Sequence, residues 1–302
     1  MITVLLGLGG ALVYGAADFL GGLASRRVRP VTVAAVAALV GLVPLLVGFA
    51  VLGGRFSGPA TVAGVVAGVS GGVGVLLLYA ALAIGPMSVL SPLTAVFSAV
   101  VPVVVALFRG TVLSPLGVVA LVVAVVAVAL VAAVPDPGGA RLTLRGVVTA
   151  AVAGCGFGGV VLGYDAAPAD SGVATLLVAR TLQVVLLGTA ALVTLWIRTG
   201  GSPAVTTTTD VRPAAGRVRP PRALVLVLVG CGVLDAMANV FIQAGLHSSD
   251  DPSTLPVISV LNALYPIGTV VLAGIVLRER LTALQTTGIG LAFAASVGLA
   301  LS

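Results

Sequence analysis

Hydrophobic residues make up 59% of the 302-residue chain and charged residues only 8%, against roughly 25% charged in a soluble domain. That balance excludes a water-soluble fold and requires lipid to cover what a core cannot. The net charge of +6 comes from Arg alone, since the sequence has no Lys; a P-loop is excluded, and scattered Arg without aromatic partners argue against nucleic-acid binding.

In chain order, ten apolar runs of spanning length fall at about 2–24, 31–53, 60–84, 88–108, 114–134, 146–164, 173–197, 223–247, 254–277 and 282–301. In lipid the backbone must satisfy itself, so each run predicts a helix despite the high Val content. The first run lacks a basic segment ahead of it and is too long for a signal peptide. Its "LGLGG" has no strand–turn–helix setting and reads as close helix packing rather than a dinucleotide motif. Gly64, Gly68 and Gly72 on the third run, and Gly154 and Gly158 on the sixth, give GxxxG faces of the same kind. Cys155 and Cys231 fall within runs, so no disulfide framework is expected, and a single His cannot build a His-rich metal site. No cofactor is implied. The stretch 198–222 is a polar, Pro/Gly-rich loop with five Arg, and is expected to be solvated or drawn to anionic headgroups.

An internal repeat organises the runs. "YAALAIGPMSVLSPLTAVFSAVVP" (79–102) aligns without a gap on "QAGLHSSDDPSTLPVISVLNALYP" (243–266), placing Pro92 on Pro256 and Pro102 on Pro266. Tyr14-Gly15 parallels Phe157-Gly158 near the start of each half. The expected fold is therefore an all-α integral membrane protein of ten transmembrane helices in two five-helix repeats, 1–134 and 146–302, joined by a connecting loop at 135–145. Five spans per repeat is odd, so the second copy enters from the opposite side. That makes an inverted repeat, an arrangement found in secondary transporters.

"LYAALAIGPMSVLSPLTAVFSAVVPVVVALF" (78–108) and "LRERLTALQTTGIGLAFAASVGLAL" (277–301) resemble the drug/metabolite transporter superfamily, EamA type. The second half keeps the family's tail as Glu279-Arg280-Leu281-Thr282, Gln285 and Gly288, whereas the first half has Thr111 where the Glu belongs. "YGAADFLGGLASRR" (14–27) resembles a bacterial branch of that family. The resemblance implies a ten-span transporter in a bacterial plasma membrane, not an enzyme. It leaves the substrate open among amino acids, metabolites, sugars and drugs. It also implies both termini inside. Twelve of the fifteen Arg lie instead on the side of the first loop, which places that side in the cytoplasm and both termini outside.

Polar residues inside the runs are the site candidates, because an intramembrane ionisable group persists only where it faces protein or water. Asp235, Asn239 and Gln243 recur at one-turn steps on the eighth run, where the repeat puts Gly71, Val75 and Tyr79 in the third. They read either as cavity liners, with Asp235 taking a proton or a cationic group, or as an interhelical hydrogen-bond cluster with Arg180 as counter-ion. Asp18 reads as a second cavity acid or as a partner of Arg26 or Arg27. Arg180, with Gln183 nearby, is expected to pair with Asp165 or Asp170. Asn262 and Tyr265 precede Pro266, which frees a carbonyl and can kink the helix, and with Tyr14 and Tyr79 they complete the candidate lining.

The function read from these residues is a secondary transporter that moves a small polar or amphipathic molecule by alternating access, with protons and membrane lipids as further partners. A non-transporting scaffold or an intramembrane enzyme is the alternative. An enzyme would need a nucleophile–base or metal set that the sequence does not offer, and a scaffold needs no buried acid.

Overall fold

The computed structural model describes residues 1–84, 87–132, 143–200, 222–276, 282–284, 287–288, 290–291 and 294–295. Its helices are α1 (Ile2–Ser25), α2 (Pro30–Leu52), α3 (Gly58–Ile84), α4 (Met87–Phe108), α5 (Pro115–Ala132), α6 (Leu144–Asp165), α7 (Val173–Gly200), α8 (Arg222–Leu246), α9 (Thr254–Asn262) and α10 (Tyr265–Val276), with a 3₁₀ turn at Ala169–Ser171. No strand occurs among the described residues. Six helices (α1, α2, α3, α6, α7 and α8) are long and apolar enough to cross a membrane, and Leu93–Phe108, Pro115–Ala127 and Thr254–Thr269 are shorter apolar helical stretches. In the last expected span, 282–301, the residues described beyond Thr282 are helical. Most of the connecting loop, most of the basic stretch 198–222, and Glu279, Arg280, Leu281 and Gln285 lie outside the described residues.

Polarity is distributed as a bilayer demands. Leu12, Leu46, Val62, Leu192 and Leu226 lie on the exterior, each more than half exposed. Asp18, Arg180, Gln183, Asn239, Gln243 and Asn262 are buried. Large apolar side chains thus cover the exterior as well as the core, while these polar side chains of the spans face inwards. The chain is a multi-pass membrane protein.

Small residues decide how the helices meet, since lipid offers no hydrophobic drive for association. A Cβ on Gly64 or Gly68 of α3 would strike the Thr175 and Ala179 carbonyls of α7, each 2.8 Å away. Gly154 and Gly158 of α6 lie equally close to α4, and Gly156, Gly159 and Gly163 on the other side of α6 press on α3. The expected GxxxG faces are therefore real contact faces, and α6 carries a second one. Gly15 of α1 abuts the backbone of Tyr265, Gly268 and Thr269 in α10, where the Thr269 hydroxyl donates to the Gly15 carbonyl over 3.0 Å.

Packing follows a pattern that survives exchange of the halves. α1 packs on α8 as α6 packs on α3; α2 packs on α8 as α7 packs on α3; α1 packs on α9–α10 as α6 packs on α4; and α2 packs on α7. Each half thus completes its interior with helices of the other.

The run 254–277 is interrupted at Ala263–Leu264, between α9 and α10, where Pro266 was expected to kink it. Pro266 has no N–H to give the Asn262 carbonyl. α4, by contrast, runs unbroken through both Pro92 and Pro102.

Candidate functional site: a closed polar cavity between the halves

The α8 stripe does converge on the interior, and its three residues take three different partners. The Asp235 carboxylate accepts from the Arg180 guanidinium of α7 in a close ion pair, with the two side chains 16% and 7% exposed. Asn239 donates through Nδ2 to the Asp235 carbonyl (2.7 Å) and accepts at Oδ1 from the Tyr164 hydroxyl of α6 (2.9 Å). Gln243 donates through Nε2 to the carbonyl of Gly172 (2.9 Å), at the turn before α7. Gly172 has φ +48°, a left-handed conformation that glycine adopts without penalty.

Tyr14, Tyr79, Arg180, Gln183, Asp235 and Asn239 line a cavity of about 20 Å³, together with small residues of α2 and α3 that include Gly71 and Val75. A second space of about 10 Å³ adjoins it, lined by Tyr14, Asp18, Asn262 and Tyr265 and by apolar Phe157, Val160, Val161 and Ile242. The two share Tyr14, Phe157 and Val160. Each has room for about one water as it stands. Tyr14 and Tyr265 are tilted neighbours, with ring centroids 6.5 Å apart. The Tyr265 hydroxyl donates to the Ser91 carbonyl of α4 (3.2 Å), and the Tyr79 hydroxyl meets Cys231 Sγ of α8 (3.2 Å).

The structure thus brings eight of the nine candidates to the two spaces. Gln243 is the exception: it holds the α7 entry turn and lines neither. Of the partners open to Arg180 in the sequence, the structure takes Asp235 rather than Asp165 or Asp170. Asp165 is held by Arg109 (2.8 Å) and Asp170 by Arg55 (3.7 Å), leaving Asp235 as the partner of Arg180. Asp18 makes no ion pair with Arg26, Arg27 or any other described residue, although it is only 5% exposed. Two contributors escaped the sequence-based lining: Gln183, one turn from Arg180, and Tyr164, which clamps Asn239. Gln183 carried the signal of an amide inside a span, three residues beyond a buried Arg. Tyr164 carried none, because a Tyr at the end of an apolar run reads as an interface anchor.

On the face holding the α8–α9 connection, Asp251 accepts from the Ser253 amide (2.8 Å). That backbone hydrogen bond, then the Ser253 side chain, lowers its carboxyl below the usual 3.8.

Residues 1–133 match the EamA-like transporter family, so the resemblance noted in the sequence is shown over the first half of the chain. Over that stretch the chain is similar to multi-pass membrane transporters of the drug/metabolite type. No curated protein matches the chain. Among solved structures, one described as "Crystal structure of protein" superimposes with a TM-score of 0.69 at 15% identity, covering 99% of this chain and 96% of that one. At that identity the likeness shows a shared fold along nearly the whole length.

Proposed function

We propose that the protein is a secondary transporter that carries a small polar or amphipathic metabolite across the plasma membrane by alternating access, with the halves 1–134 and 146–302 acting as inverted repeats. The observation that carries this reading is the closed cavity between the halves, furnished with a matched Arg180–Asp235 pair and tyrosine and amide groups. A buried ion pair contributes little to stability compared with apolar packing of the same volume, so its retention beside a cavity supports a working role. The exchange pattern of the packing supports two halves that can rock about one central site.

A proton is the driving ion in this proposal. Protonating Asp235 releases Arg180 from its only ionic partner among the described residues, which couples a proton to a change in the interior. The test is uptake by the purified protein in liposomes across a metabolite panel, with and without a pH gradient. Accumulation that follows the gradient, lost in Asp235→Asn while downhill flux persists, is the expected result. Gradient-driven accumulation that persists in Asp235→Asn returns the pair to a structural role.

A further inference from the structure

Two groups beside the Arg180–Asp235 pair are left without partners. Asp18 is 5% exposed and its side chain forms no hydrogen bond or ion pair with any described residue. Asn262 is equally buried, and its Oδ1 has no donor among the described residues. Both line the smaller space. Among the described residues, the ionisable groups within electrostatic reach of Asp18 are Asp235, Tyr14, Tyr79, Tyr265 and Cys231, of which none is a cation. Arg180, the cation of this interior, is already bound by Asp235. A buried carboxylate and a buried amide oxygen both cost free energy until a donor reaches them.

The geometry points to a binding site for an organic ammonium group in the space lined by Asp18, Asn262, Tyr14 and Tyr265. An ammonium brings three N–H donors, enough for the carboxylate and the orphaned amide oxygen together. The two rings supply the negative faces that attract a cation at close range. Phe157, Val161 and Ile242 form the rest of the wall and suit the hydrocarbon part of an amine. As it stands the space admits only a small group, and opening supplies room for the remainder. In that respect the proposal rests on the alternating-access reading. An anionic substrate is disfavoured here, because it would meet an uncompensated carboxylate.

The test is equilibrium binding to the purified full chain in detergent at neutral pH. Methylammonium, butylammonium and phenethylammonium are compared with neutral 2-phenylethanol and anionic phenylacetate. Phenethylammonium is expected to bind at least about tenfold more tightly than the alcohol or the acid, the size of a charge-assisted hydrogen bond. Asp18→Asn should remove that preference, and Asn262→Ala should weaken amine binding by less. The discrimination among ligands by the unaltered protein needs no variant to fold. Equal binding of the alcohol, binding of none of the three amines, or an Asp18→Asn protein that melts normally and keeps its amine preference would each overturn the site. Liposomes that transport a neutral solute independently of Asp18 would sink the ammonium site and spare the transporter. Amine binding without any flux would do the reverse.

Discussion

α3 and α8 occupy equivalent places in the two halves, yet one supplies space and the other supplies charge. Where α8 carries Asp235 and Asn239, α3 carries Gly71 and Val75, and all four line the same cavity. A Cβ on Gly71 would come within 2.5 Å of Gln183 Nε2, so the glycine makes room for an amide that reaches across from α7. At this level of the cavity α3 makes the room and α8 brings the charge. α4 and α9–α10 also differ: the first helix runs intact through its prolines, and the second is interrupted, leaving Asn262 beside the interruption with an Oδ1 that has no partner among the described residues.

The sharpest way to break this contrast is to strand a charge. Arg180→Met leaves Asp235 buried without its counter-ion, for an expected loss of about 3–5 kcal/mol. Adding Asp235→Leu should recover most of it. Gly71→Ala on the space-making side meets the far end of the flexible Gln183 side chain and Val160 Cγ2 at 3.0 Å, and should cost about 1 kcal/mol, the low end of overpacking. Unfolding free energies of the four proteins in one detergent decide the matter. If Arg180→Met is as mild as Gly71→Ala, the contrast between room and charge does not hold.

The aromatic-glycine pairs sharpen it further. Gly15 of the first half presses on backbone atoms of α10, including Gly268 Cα at 2.8 Å and Thr269 N at 2.9 Å from a built Cβ. Its counterpart Gly158 meets the Val101 side chain at 2.8 Å and Pro102 Cδ at 3.3 Å. Side chains yield where backbone does not. Gly15→Ala should therefore cost more than Gly158→Ala, within the roughly 1–3 kcal/mol of overpacking. Equal losses would mean that α10 is as free to retreat as a side chain on α4.

Those glycines also show what a sequence of this kind reveals. Positions set by spacing along one helix were legible: the GxxxG faces, the i+4 stripe on α8, and the break before Pro266 all follow from local geometry. What stayed open was the choice of partner across helices, where Arg180 had Asp165, Asp170 and Asp235 to choose from. Asp165 and Asp170 lie nearest Arg180 along the chain among the acids, yet the ends of α4 and the α2–α3 loop deliver Arg109 and Arg55 to them, and Asp235 takes Arg180 from 55 residues away. Gln243 was misplaced for the same reason. Its stripe faces inward, but by its position the neighbouring element is the Gly172 turn and no longer the cavity. The fold class was written in composition and length, whereas the site depended on which helices became neighbours.

Two tyrosines offer a finer comparison. The Tyr164 hydroxyl gives Asn239 a hydrogen bond, while Tyr79 meets the weak donor and acceptor Cys231 Sγ. Tyr164→Phe should cost about 0.6 kcal/mol and at most about 1.7, the range for such bonds within helix bundles. Tyr79→Phe should cost less. A larger effect at Tyr79 would show that its hydroxyl does more than the Cys231 contact describes.

The smallest expected effect lies outside the membrane, at the connection where the second half enters α9. Ser253 precedes that helix without capping it by its own side chain, and Asp251 accepts the Ser253 amide instead. The folded state therefore holds the Asp251 carboxyl below 3.8, with the backbone amide of Ser253 as the main cause and its side chain next. A carboxyl lowered on folding adds stability that is present above its unfolded value and disappears as pH falls through the folded one. Asp251 is exposed, so solvent weakens the effect and only its sign is predicted. Asp251→Asn should lower the melting temperature slightly at pH 6, and the difference should shrink as pH drops below about 3.8, the unfolded reference. A gap between the two proteins that widens towards acid would reverse the sign and remove Asp251 as the anchor of α9.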